Sequence, residues 1–197
     1  MVLLPDTGEV FTWGEGMWGK LGTGFDHNEH EPVLIPSLSD KEIVQVAAGY
    51  SHSGARTASG EIWMWGGGEL GQLGLGNRQN AMLPRRVEWL IEHEIRVRSL
   101  SLGCAHTMIV SEHDEVYAWG EQKVRQRPSV HMCAASMPYA HAALCAVQWG
   151  KLGVATNTDL LIPTRVDLLY RVSVACCGYA HSIIVTNARM SPPSFEA

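Results

Sequence analysis

The stretch Trp13–Gly22, WGEGMWGKLG, sets Gly14, Gly16 and Gly19 in the order G-x-G-x-x-G. Taken alone, that spacing describes a loop cradling the phosphates of a dinucleotide. Such a loop must come after a strand and open a helix, because the helix N-terminus supplies the N–H groups that meet the pyrophosphate. The preceding GEVFTWG has strand character. The sequence beyond it contains Gly22, Gly24, Pro32 and Pro36 and no apolar helical period, which argues against a helix. The glycines need another explanation.

They recur. GEVFTWGEGMWGKLGTG over Gly8–Gly24 returns as GEIWMWGGGELGQLGLG over Gly60–Gly76, and a third copy opens with DEVYAWGEQK at Asp114 and resumes as WGKLGVA at Trp149. Trp13, Trp65 and Trp119 are almost evenly spaced. A second marker keeps step: GYSHS at Gly49, GCAHT at Gly103 and GYAHS at Gly178. His52 precedes Trp65 by the same interval that separates His106 from Trp119. Two markers sharing one period define a repeat array, in which a recurring structural turn is needed once per copy and a cofactor loop is not. The positions Trp13, Gly14, Gly19, Gly22, Gly49, His52, Trp65, Gly66, Gly71, Gly74, Gly103, His106, Trp119, Gly120, Gly150, Gly153, Gly178 and His181 are therefore assigned to structure.

Each copy reads as β. Short apolar runs at Val10–Trp13, Val33–Ile35, Ile43–Ala47, Ile62–Trp65, Thr107–Val110, Val116–Trp119 and Ser182–Val185 are punctuated by Gly, Pro, Asn and Asp. In the tryptophan strand both faces are apolar, with Phe11/Trp13, Trp63/Trp65 and Tyr117/Trp119 on one side and Val10, Ile62 and Val116 on the other. A strand apolar on both faces is covered on both. Small sheets stacked radially meet that condition, so the expected fold is all-β, an incomplete β-propeller of about three four-stranded blades over residues 1–189.

W-G-x-G-x-x-G-x-L-G coupled to G-x-x-H-[ST] at this period resembles the regulator of chromosome condensation repeat family. The copies are uneven: VAAGYSHSGAR breaks the apolar run after His52 with Gly54 and Arg56, whereas VACCGYAHSIIV keeps it. The resemblance implies a propeller that is seven-bladed at full length, so this chain is expected to be a partial gene product or an open arc with exposed edge strands. Residues 190–197, MSPPSFEA, are expected to be a tail.

A net charge of −5 and a pI near 6.0 give no general nucleic-acid signal, although they leave a local chromatin contact open. No apolar stretch nears the length of a membrane span, and MVLLPDTGEV lacks the basic start of a signal peptide. Five cysteines without regular spacing suit a reducing compartment, so cytoplasm or nucleus is expected.

The third copy is interrupted. Trp119 and Trp149 stand much further apart than Trp13 and Trp18 or Trp65 and Leu70, and deleting Val124–Gln148 restores WGEQKWGKLG. Three origins are open for the extra segment. A loop inserted at a blade turn is one, since such loops often carry binding function. A metal site of His131, Cys133, His141 and Cys145 is the weakest, because H-x-C and H-x-x-x-C are not standard zinc spacings. Translated intron is preferred: valine codons begin with GT and CAG encodes glutamine, so an in-frame intron between Lys123 and Trp149 begins and ends with these residues.

His52, His106 and His181 recur without a carboxylate partner and read as buried residues tying strands together, not as general bases. Cys176 and Cys177 read as small core residues. GELGQLGLG has no Lys-[ST] pair and is no P-loop. The charged run Arg85–Arg98 reads as a solvated loop and edge, with Arg85, Arg86 and Trp89 as a candidate partner surface. No catalytic, cofactor-binding or metal-binding residue and no cofactor is assigned, and no enzyme is expected.

The resemblance implies several functions: nucleotide exchange on the Ran GTPase, domains of ubiquitin ligases, kinases and ciliary scaffolds, and a plant ultraviolet-B photoreceptor. The photoreceptor needs interface tryptophans, one in G-W-R-H-T, where this chain has Tyr50, Cys104 and Tyr179. The leading expectation is a protein-interaction module whose rim loops meet a protein partner, in a regulatory or scaffold role. A guanine-nucleotide exchange factor for a Ran-like small GTPase is the alternative. Transcript reads across Lys123 test the intron: a spliced form joining Lys123 to Trp149 is expected, and universal inclusion of codons 124–148 refutes it.

Overall fold

The computed structural model describes residues 2–3, 8–122, 152, 158–168, 170–179 and 181–189. The segment 124–148 with its four metal-site candidates, Gly150, Gly153 and the tail 190–197 lie outside the described residues.

Punctuated apolar runs become strands in chain order: β1 (Val2–Leu3), β2 (Phe11–Gly14), β3 (Glu29–Leu34), β4 (Ile43–Ala48), β5 (His52–Thr57), β6 (Ile62–Gly66) and β7 (Ala81–Arg86). A short helix α1 (Glu88–Glu92) precedes β8 (Val97–Leu102), β9 (His106–Ser111), β10 (Val116–Gly120), β11 (Leu160–Val166), β12 (Tyr170–Cys177) and β13 (Ser182–Arg189). Each sheet is an antiparallel meander: β1-β2-β3, β4-β5-β6-β7, β8-β9-β10-β11 and β12-β13. Two complete four-stranded blades thus stand between a three-stranded and a two-stranded sheet. The described part of the chain is an incomplete β-propeller.

The first strands of consecutive sheets, β4, β8 and β12, lie beside one another, so the sheets converge there and splay towards β7 and β11. Stacking leaves both faces of the third strand covered. Every residue of β10 is buried, and Trp65 and Trp119 are fully enclosed. In β6, Trp65 faces the preceding sheet, while Met64 lies on the side towards the next sheet with Gly54, beside Leu100. The core is therefore a row of interfaces. One cluster runs from Val10 through Trp65 to Trp119, and a second joins the third and fourth sheets through Met108, Ala118, Val166 and Val172.

One irregularity repeats. Pairing of the tryptophan strand with the outermost strand slips between Thr12 and Gly14, between Met64 and Gly66, and between Ala118 and Gly120. Each tryptophan therefore sits at a bulge, which re-aims a side chain and sharpens the local twist. The glycine after it has φ of 107°, 100° and 108° in the three copies. At Gly120 a Cβ would lie 2.5 Å from the Ala105 carbonyl oxygen. The Trp-Gly dipeptide is the sequence form of this bulge.

The outermost strands share a second repeated feature, which the motif pattern does not include. Pro32, Pro84 and Pro163 each occupy the fourth place of their strand, in β3, β7 and β11. Proline removes a backbone donor, and on an outer strand it blunts pairing with another chain.

Two expectations change. The apolar run after His52 that Gly54 and Arg56 interrupt still forms one strand, for β5 continues to Thr57. Gly54 fits the space between Met64 and Leu100, and the Arg56 guanidinium donates to Gln45 Oε1 and to the Val97 carbonyl. The Arg85–Arg98 run is not only solvated loop and edge: it holds the end of β7, α1 and the start of β8, and Val87, Leu90 and Val97 are buried. Its charges stand on the outward faces of short elements whose inward faces are apolar. Of the two adjacent cysteines, Cys176 is exposed and Cys177 half-buried, because successive strand residues point to opposite faces.

Gly120→Ala is expected to lower unfolding stability by about 2–5 kcal/mol, combining an unfavourable φ with overpacking. Gly76→Ala, where φ is also positive but the nearest atom is 3.9 Å from the added carbon, is expected to lose about 1 kcal/mol. Urea unfolding of the two variants measures the difference, and equal losses contradict the bulge geometry.

Candidate functional site

The loop that opened the question comes after β2. It contains a 3-10 turn at Met17–Gly19, and no helix starts at Gly22. Its amides are consumed internally. Gly19 N donates to Gly16 O and Gly22 N to Gly19 O, each at 2.9 Å, and Gly16 N donates to Asn28 Oδ1 at 3.1 Å. The second copy repeats this with Gly71, Gly74 and Gly68, the last donating to Asn80 Oδ1 at 2.9 Å. Backbone donors that a phosphate would require are already bonded. The two asparagines were not singled out from the sequence, although their separation matches the repeat period.

The loop offers instead one carbonyl to the next sheet. Lys20 O accepts from Trp65 Nε1 at 3.0 Å and from Ser53 Oγ at 2.8 Å. One blade on, Gln72 O accepts from Trp119 Nε1 at 3.0 Å and from Thr107 Oγ1 at 2.8 Å. The approach is close enough that a Cβ at Gly22 or Gly74 would stand 2.8 or 2.7 Å from the indole nitrogen of Trp65 or Trp119. The leucine between the glycines, at Leu21, Leu73 and Leu152, is buried in every copy.

The histidine marker joins the same cluster. His52 Nε2 lies 3.0 Å from Thr107 Oγ1, and because that hydroxyl donates to Gln72 O, it accepts from His52 Nε2–H. His106 Nε2 meets Ser182 Oγ at 3.1 Å, the equivalent contact one junction on. The marker Gly49 donates its N–H to the His52 carbonyl at 2.8 Å, and Gly103 and Gly178 do likewise with His106 and His181. The histidines therefore tie one sheet to the next, not strands within a sheet, and His52 and His106 are close enough to interact electrostatically. Both are fully buried; His181 is exposed, with no further sheet beside it among the described residues. Burial pulls the His52 imidazole down to about 3 from 6.5, and the neighbouring His106 adds to the depression. His52 is a neutral structural donor and no proton shuttle at neutral pH.

The marker also has an outward place. At the second place of the G-x-x-H marker stand Tyr50, 61% exposed, Cys104, half-buried, and Tyr179, 73% exposed. Tyr50 faces Trp18 with ring centroids 6.3 Å apart, and Lys20 Nζ lies 5.5 and 6.0 Å from the Trp18 and Tyr50 rings. Arg85 and Arg86 both line an open groove of about 870 Å³ with Glu61, Trp63 and Glu88, and Arg86 is ion-paired to Glu61 and Glu88. Trp89 stands apart from that groove, stacked on His93 at 3.9 Å and tilted against Tyr117 of the next sheet. Among the described residues, no cluster of three metal-ligating side chains occurs, and no helix is long and apolar enough to cross a membrane.

A depressed histidine has a signed consequence. Folded His52 stays neutral to about pH 3, whereas the unfolded residue protonates near 6.5, so its contribution is complete above 6.5 and declines as pH falls towards 3. His52→Gln retains an amide donor and loses the titration. The stability advantage of the native chain over this variant is expected to shrink between pH 6.5 and pH 4 in thermal melts; a constant difference contradicts it.

Comparison with known proteins matches this geometry to a family. Residues 7–56 and 59–110, together more than half of the chain, match the family model of the regulator of chromosome condensation (RCC1) repeat, and residues 43–72 match a second model of the same description. The ultraviolet-B receptor UVR8 of Arabidopsis thaliana is 31% identical over 180 residues, covering 90% of this chain and 35% of the receptor. The E3 ubiquitin-protein ligase HERC2 of Homo sapiens is 30% identical over 187 residues, which are 94% of this chain but 3% of the ligase. The chain thus spans about a third or less of these relatives' lengths. The crystal structure of Prp20p from Saccharomyces cerevisiae superposes with a TM-score of 0.75 at 16% identity, covering 96% of this chain and 42% of Prp20p. The chain belongs to the regulator of chromosome condensation (RCC1) repeat family.

Proposed function

We propose that the chain is a protein-interaction module, in which a blade stack held together by buried motif residues presents its connecting loops to a protein partner in a regulatory or scaffold role. One observation carries this reading. At equivalent backbone places the inward residues Trp, Gly, Leu and His recur, while the outward place of the marker holds Tyr50, Cys104 and Tyr179. Exposed tyrosines on a rigid frame supply large contact area at little entropic loss, as binding surfaces require. The relatives include a receptor and a ubiquitin ligase, and similarity to them supports a regulatory or interaction role.

The alternative is nucleotide exchange on a Ran-like small GTPase. Prp20p is described as having binding properties to Gsp1p and histones, and the shared fold is what makes a small-GTPase partner worth testing for this chain. Exchange factors act by binding the nucleotide-free GTPase more tightly than the loaded one, with no bond made or broken by the factor.

Two measurements decide. Tyr50→Ser with Tyr179→Ser is expected to abolish cross-linking to the cellular protein partner while the melting temperature stays unchanged; retained cross-linking contradicts the proposal. Nucleotide release from a Ran-type GTPase is expected to be unaffected by the protein, and acceleration assigns the alternative.

A further inference from the structure

The sheets at the two ends of the stack are incomplete in complementary ways. In the blades β4-β5-β6-β7 and β8-β9-β10-β11 the histidine strand is second and the tryptophan strand third. Among the described residues, β1-β2-β3 fills the second, third and fourth places, and β12-β13 fills the first and second. The register carries this equivalence. Leu3 pairs with Phe11 as Ala55 pairs with Trp63 and Ile109 with Tyr117. Cys177 pairs with Ser182 as Ala48 pairs with Ser53 and Leu102 with Thr107. The second place is thus filled at both ends, and weakly at one. β1 meets β2 at Val2 and Leu3, whereas β5 and β9 each meet their tryptophan strand at five positions.

Each end leaves its own surface open. Val174, Cys176 and Ile183 share one face of the last sheet, because Cys176 pairs with Ile183 and lies two places from Val174. All three are exposed, although Gly54 and Met108, the equivalents of Ile183, are buried. At the other end Val46 is half-buried and Ala48 exposed, while Leu100 and Leu102 in the same places of β8 are buried. The histidine–hydroxyl series stops at the same two ends. Thr107 and Ser182 each meet a histidine of the preceding sheet, Ser53 meets none among the described residues, and His181 is exposed. The outer edge of β13 also lacks the devices that blunt pairing. The outermost strands carry Pro32, Pro84 and Pro163, but Ser182–Arg189 has no proline and no charge before Arg189.

We propose that two copies of this chain complete each other: β13 of one replaces β1 of the other, giving a composite blade β12-β13-β2-β3. Ser182 then falls opposite Trp13 of the second copy, Ile183 opposite Thr12 and Ile184 opposite Phe11. No charged side chain stands in these paired stretches, and the nearest carboxylate, Glu9, falls opposite Thr186. His181 comes to Ser53 of the second copy as His52 comes to Thr107, and β12 covers Val46 there. Backbone pairing along the open edge and burial of the Val174 and Ile183 face hold the pair together. One chain cannot bring its own ends together, because two complete blades and one composite fall short of the four that a ring needs. Two copies sharing two composite blades close at six, within the known range of four to eight.

Sedimentation of the 197-residue protein over a range of concentrations is expected to show a dimer as the largest species. Ile183→Lys, at a side chain 41% exposed in one copy, is expected to weaken the dimer at least tenfold and leave the circular dichroism spectrum unchanged. Ile91→Lys, exposed on α1, leaves the dimer intact. A chain carrying Phe11→Cys, mixed with one carrying Ile184→Cys and oxidised, is expected to form a disulfide between the two introduced cysteines, identified in tryptic peptides by mass spectrometry. A monomer at every concentration, a dimer that survives Ile183→Lys, or a dimer without that disulfide overturns the proposal. So do oligomers that keep growing with concentration, since the pair is then not closed.

Discussion

The architecture depends on a single backbone carbonyl offered by each glycine loop to the next sheet. Gln72 O, like Lys20 O before it, receives an indole N–H and a hydroxyl from the adjoining blade. Both donors are buried, and leaving either unbonded would cost about 1–3 kcal/mol. The two bonds thereby fix the spacing and rotation of neighbouring blades. Gly22 and Gly74, two residues beyond that carbonyl, answer the same demand, because a side chain there would strike the indole that the carbonyl is meant to reach. His52 extends the cluster through Thr107, so tryptophan, glycine, leucine and histidine markers far apart in sequence belong to one contact.

Stability is accordingly distributed between blades and not within them. An isolated meander of four short strands has two apolar faces and no way to cover either; its neighbours cover both. Trp65 and Trp119 lie between described sheets and are fully buried, while Trp13, in the first sheet, is only partly so. Truncating a buried tryptophan to alanine generally removes about 3–5 kcal/mol, so each such junction holds a substantial share of the fold's stability. Recurring residues are spent on these junctions, and at the outward place of the marker Tyr50 against Cys104 changes the surface without disturbing the frame.

Much of this was legible before any coordinates. The failure of the glycine string to open a helix, the common period of tryptophan and histidine, and strands apolar on both faces led to stacked sheets. The marker H-[ST] was visible as a pair, but not that its two halves belong to different junctions: the histidine of one copy bonds the hydroxyl of the next. Asn28 and Asn80, Pro32, Pro84 and Pro163 also repeat in step with the motifs, a recurrence masked by how common Asn and Pro are in any loop. The helix α1 was hidden by its length, since a single turn cannot display an amphipathic period.

Sequence alone determined the repeat and its β character, because periodic packing demands periodic chemistry. Only the tertiary structure decided which atoms meet. The glycine amides bond within their own loop while one carbonyl turns to the next tryptophan, Arg86 closes on Glu61 and Glu88, and Met82 and Leu83 of one blade meet the glycine loop of the blade before it. Two of these meetings, the carbonyl with the tryptophan and β7 with the glycine loop, join residues of different repeats, and their geometry is set by how one blade is rotated against the next, a quantity that no local pattern of residues encodes.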